Sequence, residues 1–112
     1  IDAFHKIDSD PNQYLMVLEG EEKILATCHL SLIPSLTFLA SMRLQIEAVR
    51  VHADLRGQDI GHYMIKRAID WGKEHGAKII QLSTNKKRKD ALRFYESLGF
   101  RASHEGMKLY VE

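Results

Sequence analysis

The chain has 112 residues, with sixteen basic and fifteen acidic side chains giving a formal charge of +1, and a 45% hydrophobic content. That is enough chain for a single packed domain over residues 1–112. The near-neutral balance excludes a global polyelectrolyte partner, so neither nucleic acid nor a membrane surface is expected and any charge-dependent role must be local. The lone cysteine, Cys28, cannot close an internal disulfide, and neither a membrane-length apolar run nor a charged-then-apolar leader is read here; a reducing, cytoplasmic setting is the expectation.

Residues 1–12 are polar and irregular. Tyr14 to Leu18 is a short apolar run, Gly20-Glu21-Glu22 supplies a turn, and from Lys23 a second extended segment follows, which together predict a hairpin. In that second segment Ala26, Cys28, Leu30 and Leu32 alternate with Thr27, His29 and Ser31, the period of a strand with one buried face. The next strand begins with apolar residues at Leu44, Ile46 and Ala48, with Arg43, Gln45 and Glu47 opposite, and then changes phase: Val49 and Val51 are apolar and Arg50 is polar. A one-residue slip would turn a buried face outward, so the economical reading is a β-bulge at Ala48-Val49, a feature over-represented beside active sites. The alternative is that both faces are covered and the alternation carries no meaning.

After Arg56-Gly57 a helical stripe of Met64, Ile65, Ala68, Ile69 and Gly72 begins, and Gly76 ends it. Ile79-Ile80 mark a further strand over 78–83. Asp90 is the expected cap of a second helix whose Ala91, Phe94, Tyr95 and Leu98 share a face, closed by Gly99. Phe100 to Ser103 and Met107 to Val111 read as two closing strands. The order β-β-β-α-β-α-β-β gives the α/β class: a mixed twisted sheet in which a βαβ crossover is flanked by antiparallel strands.

Between the third strand and the first helix lies Arg56-Gly57-Gln58-Asp59-Ile60-Gly61. Successive backbone N–H groups at a helix N-terminus, with glycines that let an anion approach, suit a pyrophosphate, although a strand-to-helix turn needs glycine for steric reasons in any case. Val49 to Gly61 as a whole resembles the acetyl-coenzyme A signature of the GNAT N-acetyltransferase superfamily, a valine-rich strand followed by Arg/Gln-x-x-Gly-x-Gly/Ala. Asp90-Ala91-Leu92-Arg93-Phe94-Tyr95-Glu96-Ser97-Leu98-Gly99-Phe100 resembles the same family's helix and Gly-Phe block. Two motifs at the right separation are far more specific than either one, and the resemblance covers residues 13–111. The end of the chain, from Ser103 to Leu109, is also similar to small bacterial members.

The resemblance implies the acyl-CoA N-acyltransferase fold without its N-terminal part, acetyl-CoA as co-substrate, and no metal. It implies direct transfer of acetyl to a primary amine on a small molecule or peptide. The pantetheine arm would pair with the backbone of Val49-Arg50-Val51 as a substitute strand. Pyrophosphate would lie over Gly57, Gln58, Ile60, Gly61 and His62, with Arg56 supplying charge. Glu47 would take the amine proton and Tyr95 would protonate the thiolate, while Asn85 would contact pantetheine and Arg88 or Lys89 the adenosine end. Each has a plainer reading: Glu47 as a solvated strand carboxylate, Tyr95 as a core aromatic, Asn85 as a turn residue, Lys86-Lys87-Arg88-Lys89 as a solvated loop. Asp59 departs from the pattern, which has glycine there. Its carboxylate would repel the pyrophosphate, while as a left-handed residue able to cap the helix it would favour folding. A non-catalytic acyl-CoA-binding module is the competing function, and a homodimer, including a strand-exchanged one, is compatible with either. The six histidines show no metal-ligand spacing, and the acceptor is unreadable.

Overall fold

Alternation in the first half of the chain produces three antiparallel strands: β1 (Gln13–Gly20), β2 (Lys23–Pro34) and β3 (Met42–Val51). The computed structural model describes residues 8–36, 41–52 and 59–111. The turn between β1 and β2 closes with Gly20 opposite Lys23, and Glu22 adopts a positive φ of 65°. Helix α1 (Ile60–Glu74) then crosses over to β4 (Ala77–Leu82), which lies parallel to β3, so the sheet order is β1-β2-β3-β4. A second helix, α2 (Lys89–Ser97), follows. The chain falls into two compact units, Ile1–Leu82 and Ser83–Glu112.

In the first unit α1 packs on one face of the sheet. Leu30, Leu44 and Ile46 from the strands and Met64 and Ile65 from the helix are fully buried, each contributing about 1.5–3 kcal/mol by leaving water. Gly72 sets how close the helix can come: a Cβ there would lie 2.8 Å from Leu44 Cδ2 and 3.1 Å from Ile80 Cδ1. At the C-terminal end Gly76, with φ 87°, donates its N–H to the Lys73 carbonyl at 3.1 Å, as expected for a residue that turns the chain out of a helix.

In the second unit α2 is amphipathic but short, and Ala91 is its buried residue. Gly99 has φ 100°, its N–H reaches the Glu96 carbonyl at 3.0 Å, and the Phe100 N–H reaches the Tyr95 carbonyl at 3.1 Å. These two bonds form the Schellman arrangement, so the Leu98-Gly99-Phe100 block is a helix stop. Tyr95 sits edge-on between Phe94 and Phe100, at 5.1 and 5.9 Å between ring centroids.

Two expectations need correction. Asp90 is not the helix cap; Arg88 occupies that position and Asp90 lies in the first turn, where its charge still favours the positive end of the dipole. Phe100–Ser103 and Met107–Val111 are not strands. Their backbone joins no ladder among the described residues, and Met107, Leu109, Tyr110 and Val111 stay exposed, because alternation alone cannot supply a strand partner.

Replacing Gly72 by valine should lower unfolding stability by about 1–3 kcal/mol in urea titration, since Leu44 and Ile80 leave no room for the side chain.

Candidate active site

The phase slip in β3 is a bulge. Thr27 pairs with Arg50 and His29 with Glu47, so Ala48 and Val49 together stand opposite Cys28 alone. Ala48 takes φ 53°, the left-handed region that L-residues avoid. The extra residue restores the apolar face: Leu44 and Ile46 are buried before it, and Val49 and Val51 are partly buried after it, while Ala48 and Arg50 are exposed.

Beyond the bulge β3 keeps one neighbour and loses the other. Its pairing with β4 stops at Ile46 opposite Leu82, whereas its pairing with β2 continues to Val51 opposite Ala26. The His52 N–H donates to the Leu25 carbonyl at 2.8 Å, toward β2. Backbone groups alternate sides along a strand, so the N–H groups of Val51 and Val49 face the edge that β4 has left. An extended ligand with amide groups can pair there as a strand would, which is the fit that a pantetheine arm requires.

The N-terminus of α1 supplies the second element. Asp59 precedes the helix with φ 63°, ψ 11°, and its side chain makes no capping hydrogen bond, so the left-handed expectation holds and the capping one does not. Tyr63 donates to the Asp59 carbonyl at 3.0 Å, which leaves the amides of Ile60, Gly61 and His62 as the donors that a helix start cannot satisfy internally. The first turn holds no acidic residue. Three free amides at the positive end of a helix bind phosphate oxygens readily. Arg56, Gly57 and Gln58 lie outside the described residues.

Glu47 is exposed on the face of β3 turned away from α1. That face carries polar residues in register across all four strands, since Gln13 faces Ser31, Ser31 faces Gln45, and Gln45 faces Gln81. Gln13 Oε1 accepts from His29 Nε2 at 2.6 Å and from the Ser31 hydroxyl at 2.9 Å, and Gln81 Nε2 donates to Gln45 Oε1 at 2.6 Å. Arg43 is part of the same face, and its Nε is buried without a hydrogen-bond partner, an arrangement that costs about 1–3 kcal/mol. The alternation places His29 and Ser31, and Arg43, Gln45 and Glu47, on the polar faces of their strands, but Gln13 and Gln81 join them in a row only through the register.

In the second unit Asn85 behaves as a turn residue: its Oδ1 accepts from the Lys87 N–H and its carbonyl from the Arg88 N–H, both at 2.9 Å. Lys86 pairs with Glu105 at 3.1 Å with both side chains exposed, as a solvated loop predicts. Cys28 is fully buried, and burial pushes its thiol up to about 11, which leaves it protonated and unreactive at neutral pH. A cavity of about 320 Å³ opens at the far end of α1 beside Tyr14, Met16, Arg67 and Trp71, with Tyr14 stacked on Trp71 at 5.4 Å. Twelve helix positions, roughly 18 Å, separate Trp71 from Asp59, so the cavity is remote from the start of α1. Among the described residues no cluster of three or more His, Cys, Asp or Glu side chains is placed to hold a metal, and no helix is long and apolar enough to cross a membrane.

Comparison with known proteins follows the same lines. The profile of the Acetyltransferase (GNAT) family matches residues 1–100. An aminoalkylphosphonate N-acetyltransferase of Salmonella typhimurium is 40% identical over 60 residues, which is 54% of this chain and 39% of that protein. The chain thus spans well under half of that relative. Among solved structures, a protein of Bacillus halodurans C-125 named as a transcriptional regulator is 46% identical with a TM-score of 0.95, over 98% of this chain and 73% of its own. Glucosamine-6-phosphate N-acetyltransferase from Arabidopsis thaliana shares the fold, with a TM-score of 0.87 at 24% identity over 99% of this chain and 76% of its own.

Replacing Asp59 by glycine removes a carboxylate beside the three free amides and relieves the left-handed backbone. Calorimetry should show coenzyme A binding tightened on the order of tenfold, and unchanged affinity would mean that the carboxylate does not face the phosphates.

Proposed function

Because the chain belongs to the GNAT acetyltransferase family, whose members use acetyl-CoA, we propose that it transfers acetyl from acetyl-CoA directly to a primary amine. The observation that carries this reading is the open edge at Val49 and Val51, one bulge away from Glu47 on the same strand. A thioester seated along that edge would present its carbonyl carbon near the Glu47 side of the strand, with a backbone N–H available to the developing oxyanion. The amine lone pair attacks that carbon, the C–S bond breaks, Glu47 takes the ammonium proton directly or through water, and the departing thiolate takes a proton from a general acid, the role that the family resemblance gives to the Tyr95 phenol. No acyl-enzyme is invoked, and the buried, protonated Cys28 fits that choice.

A second reading, an acyl-CoA-binding module without turnover, draws its support from Asp59, whose charge works against phosphate and whose side chain contributes no cap. Release of free thiol from acetyl-CoA with a panel of primary amines separates the two. Under the transferase reading thiol release requires the amine, and Glu47→Gln lowers kcat by about 10²–10⁴-fold, the usual worth of a positioned proton acceptor. Tyr95→Phe lowers kcat as well while coenzyme A affinity persists. Coenzyme binding with no amine-dependent thiol release would favour the module.

A further inference from the structure

On the face of the sheet opposite α1, the polar row Gln13-Ser31-Gln45-Gln81 satisfies itself through side-chain hydrogen bonds. Arg43, one step along the same face of β3, does not take part. In register it lies between Ile33 of β2 and Ile79 of β4, both partly buried. Its Nε is buried and has no hydrogen-bond partner, and among the described residues no carboxylate is paired with it. The Nε of a partly buried guanidinium has thus lost water and gained no partner in exchange, and the planar fork to which it belongs matches an oxyanion in two parallel hydrogen bonds. Arg43 and Glu47 are four residues apart on one strand face, so their Cα atoms are separated by about 13 Å. With both side chains extended along the strand toward one another, the gap between their charged ends would be a few ångströms, the span of a short chain with an amine at one end and an anion at the other.

We propose that Arg43 is the specificity-determining residue for the acceptor, and that the acceptor is a short primary amine bearing a carboxylate or phosphate-type oxyanion two or three carbons away. The oxyanion pairs with Arg43 and the amine is thereby directed to Glu47. This rests on the acetyl-transfer reading above but fails separately from it.

Two measurements on the full chain test it. The first is the ratio of kcat/KM for an anionic amine to that for its neutral counterpart: O-phosphoethanolamine against ethanolamine, and β-alanine against β-alaninamide. The ratio should be about 10- to 100-fold in at least one pair, as one charge-assisted contact supplies. The pair that shows it identifies phosphate or carboxylate as the group recognised. Arg43→Met should bring the ratio to about one, chiefly through KM, and Arg43→Lys should retain part of it. Turnover of neutral amines with a ratio near one in the unaltered protein, or a ratio that survives Arg43→Met, overturns the assignment while leaving acetyl transfer intact.

The second measurement needs no turnover and no variant that must fold well. In NMR titration with O-phosphoethanolamine and with β-alanine, the Arg43 Nε–H resonance should move saturably with at least one of them. A resonance unmoved at saturating concentrations of both overturns the assignment whatever the activity. Saturable movement without thiol release for any amine would uphold the anion site and sink the transferase reading instead.

Discussion

One residue too many in β3 governs the site. Ala48 and Val49 share a single partner position on β2, and the backbone accommodates them by putting Ala48 at φ 53°. A non-glycine residue there costs about 1–2 kcal/mol, tolerable because β2 continues to pair with β3 on both sides of the bulge. Without the extra residue Val49 and Val51 would turn away from the buried face that Leu44 and Ile46 define. With it, the apolar face continues while β4 stops at Leu82, and the strand beyond carries donors on an edge with no sheet neighbour in the β3–β4 ladder.

Asp59, left-handed like Ala48, precedes the helix that follows. The two positive-φ positions bracket the segment between the open strand edge and the free amides of α1, and backbone strain of this kind persists where the surrounding structure over-determines it. Gly72 contributes from a distance, because its lack of a side chain lets α1 settle on Leu44 and Ile80 and so fixes the height of the helix over the sheet. Amide donors and charged side chains thus come from different layers of one arrangement. Amides face the strand edge and the helix start, while Glu47 and Arg43 project from the opposite face of the sheet.

Much of this was legible in the residues. Period-two alternation in Ala26 to Leu32, the slip at Ala48-Val49, the stripe from Met64 to Gly72 and the stops at Gly76 and Gly99 each reflect a local rule, and each is present in the fold. What escaped depends on partners far away in sequence. The segment Met107–Val111 reads as a strand but finds no ladder among the described residues, and Asp90 lies two residues past the cap because the helix already starts at Lys89, with Arg88 as its cap. Gln13, Ser31, Gln45 and Gln81 reveal nothing singly; register brings them into a row, and only then does Arg43 stand out, with its buried Nε left without a partner. Arg56, Gly57 and Gln58 belong to the sequence argument alone, since they lie outside the described residues.

The central claim is that the edge beyond the bulge and the start of α1 form one coenzyme cleft. Amide hydrogen exchange with and without coenzyme A tests it most directly. The account predicts added protection at Val49 and Val51 together with Ile60, Gly61 and His62. Coenzyme binding that leaves these amides unchanged, with protection confined to the cavity beside Tyr14 and Trp71, would contradict it.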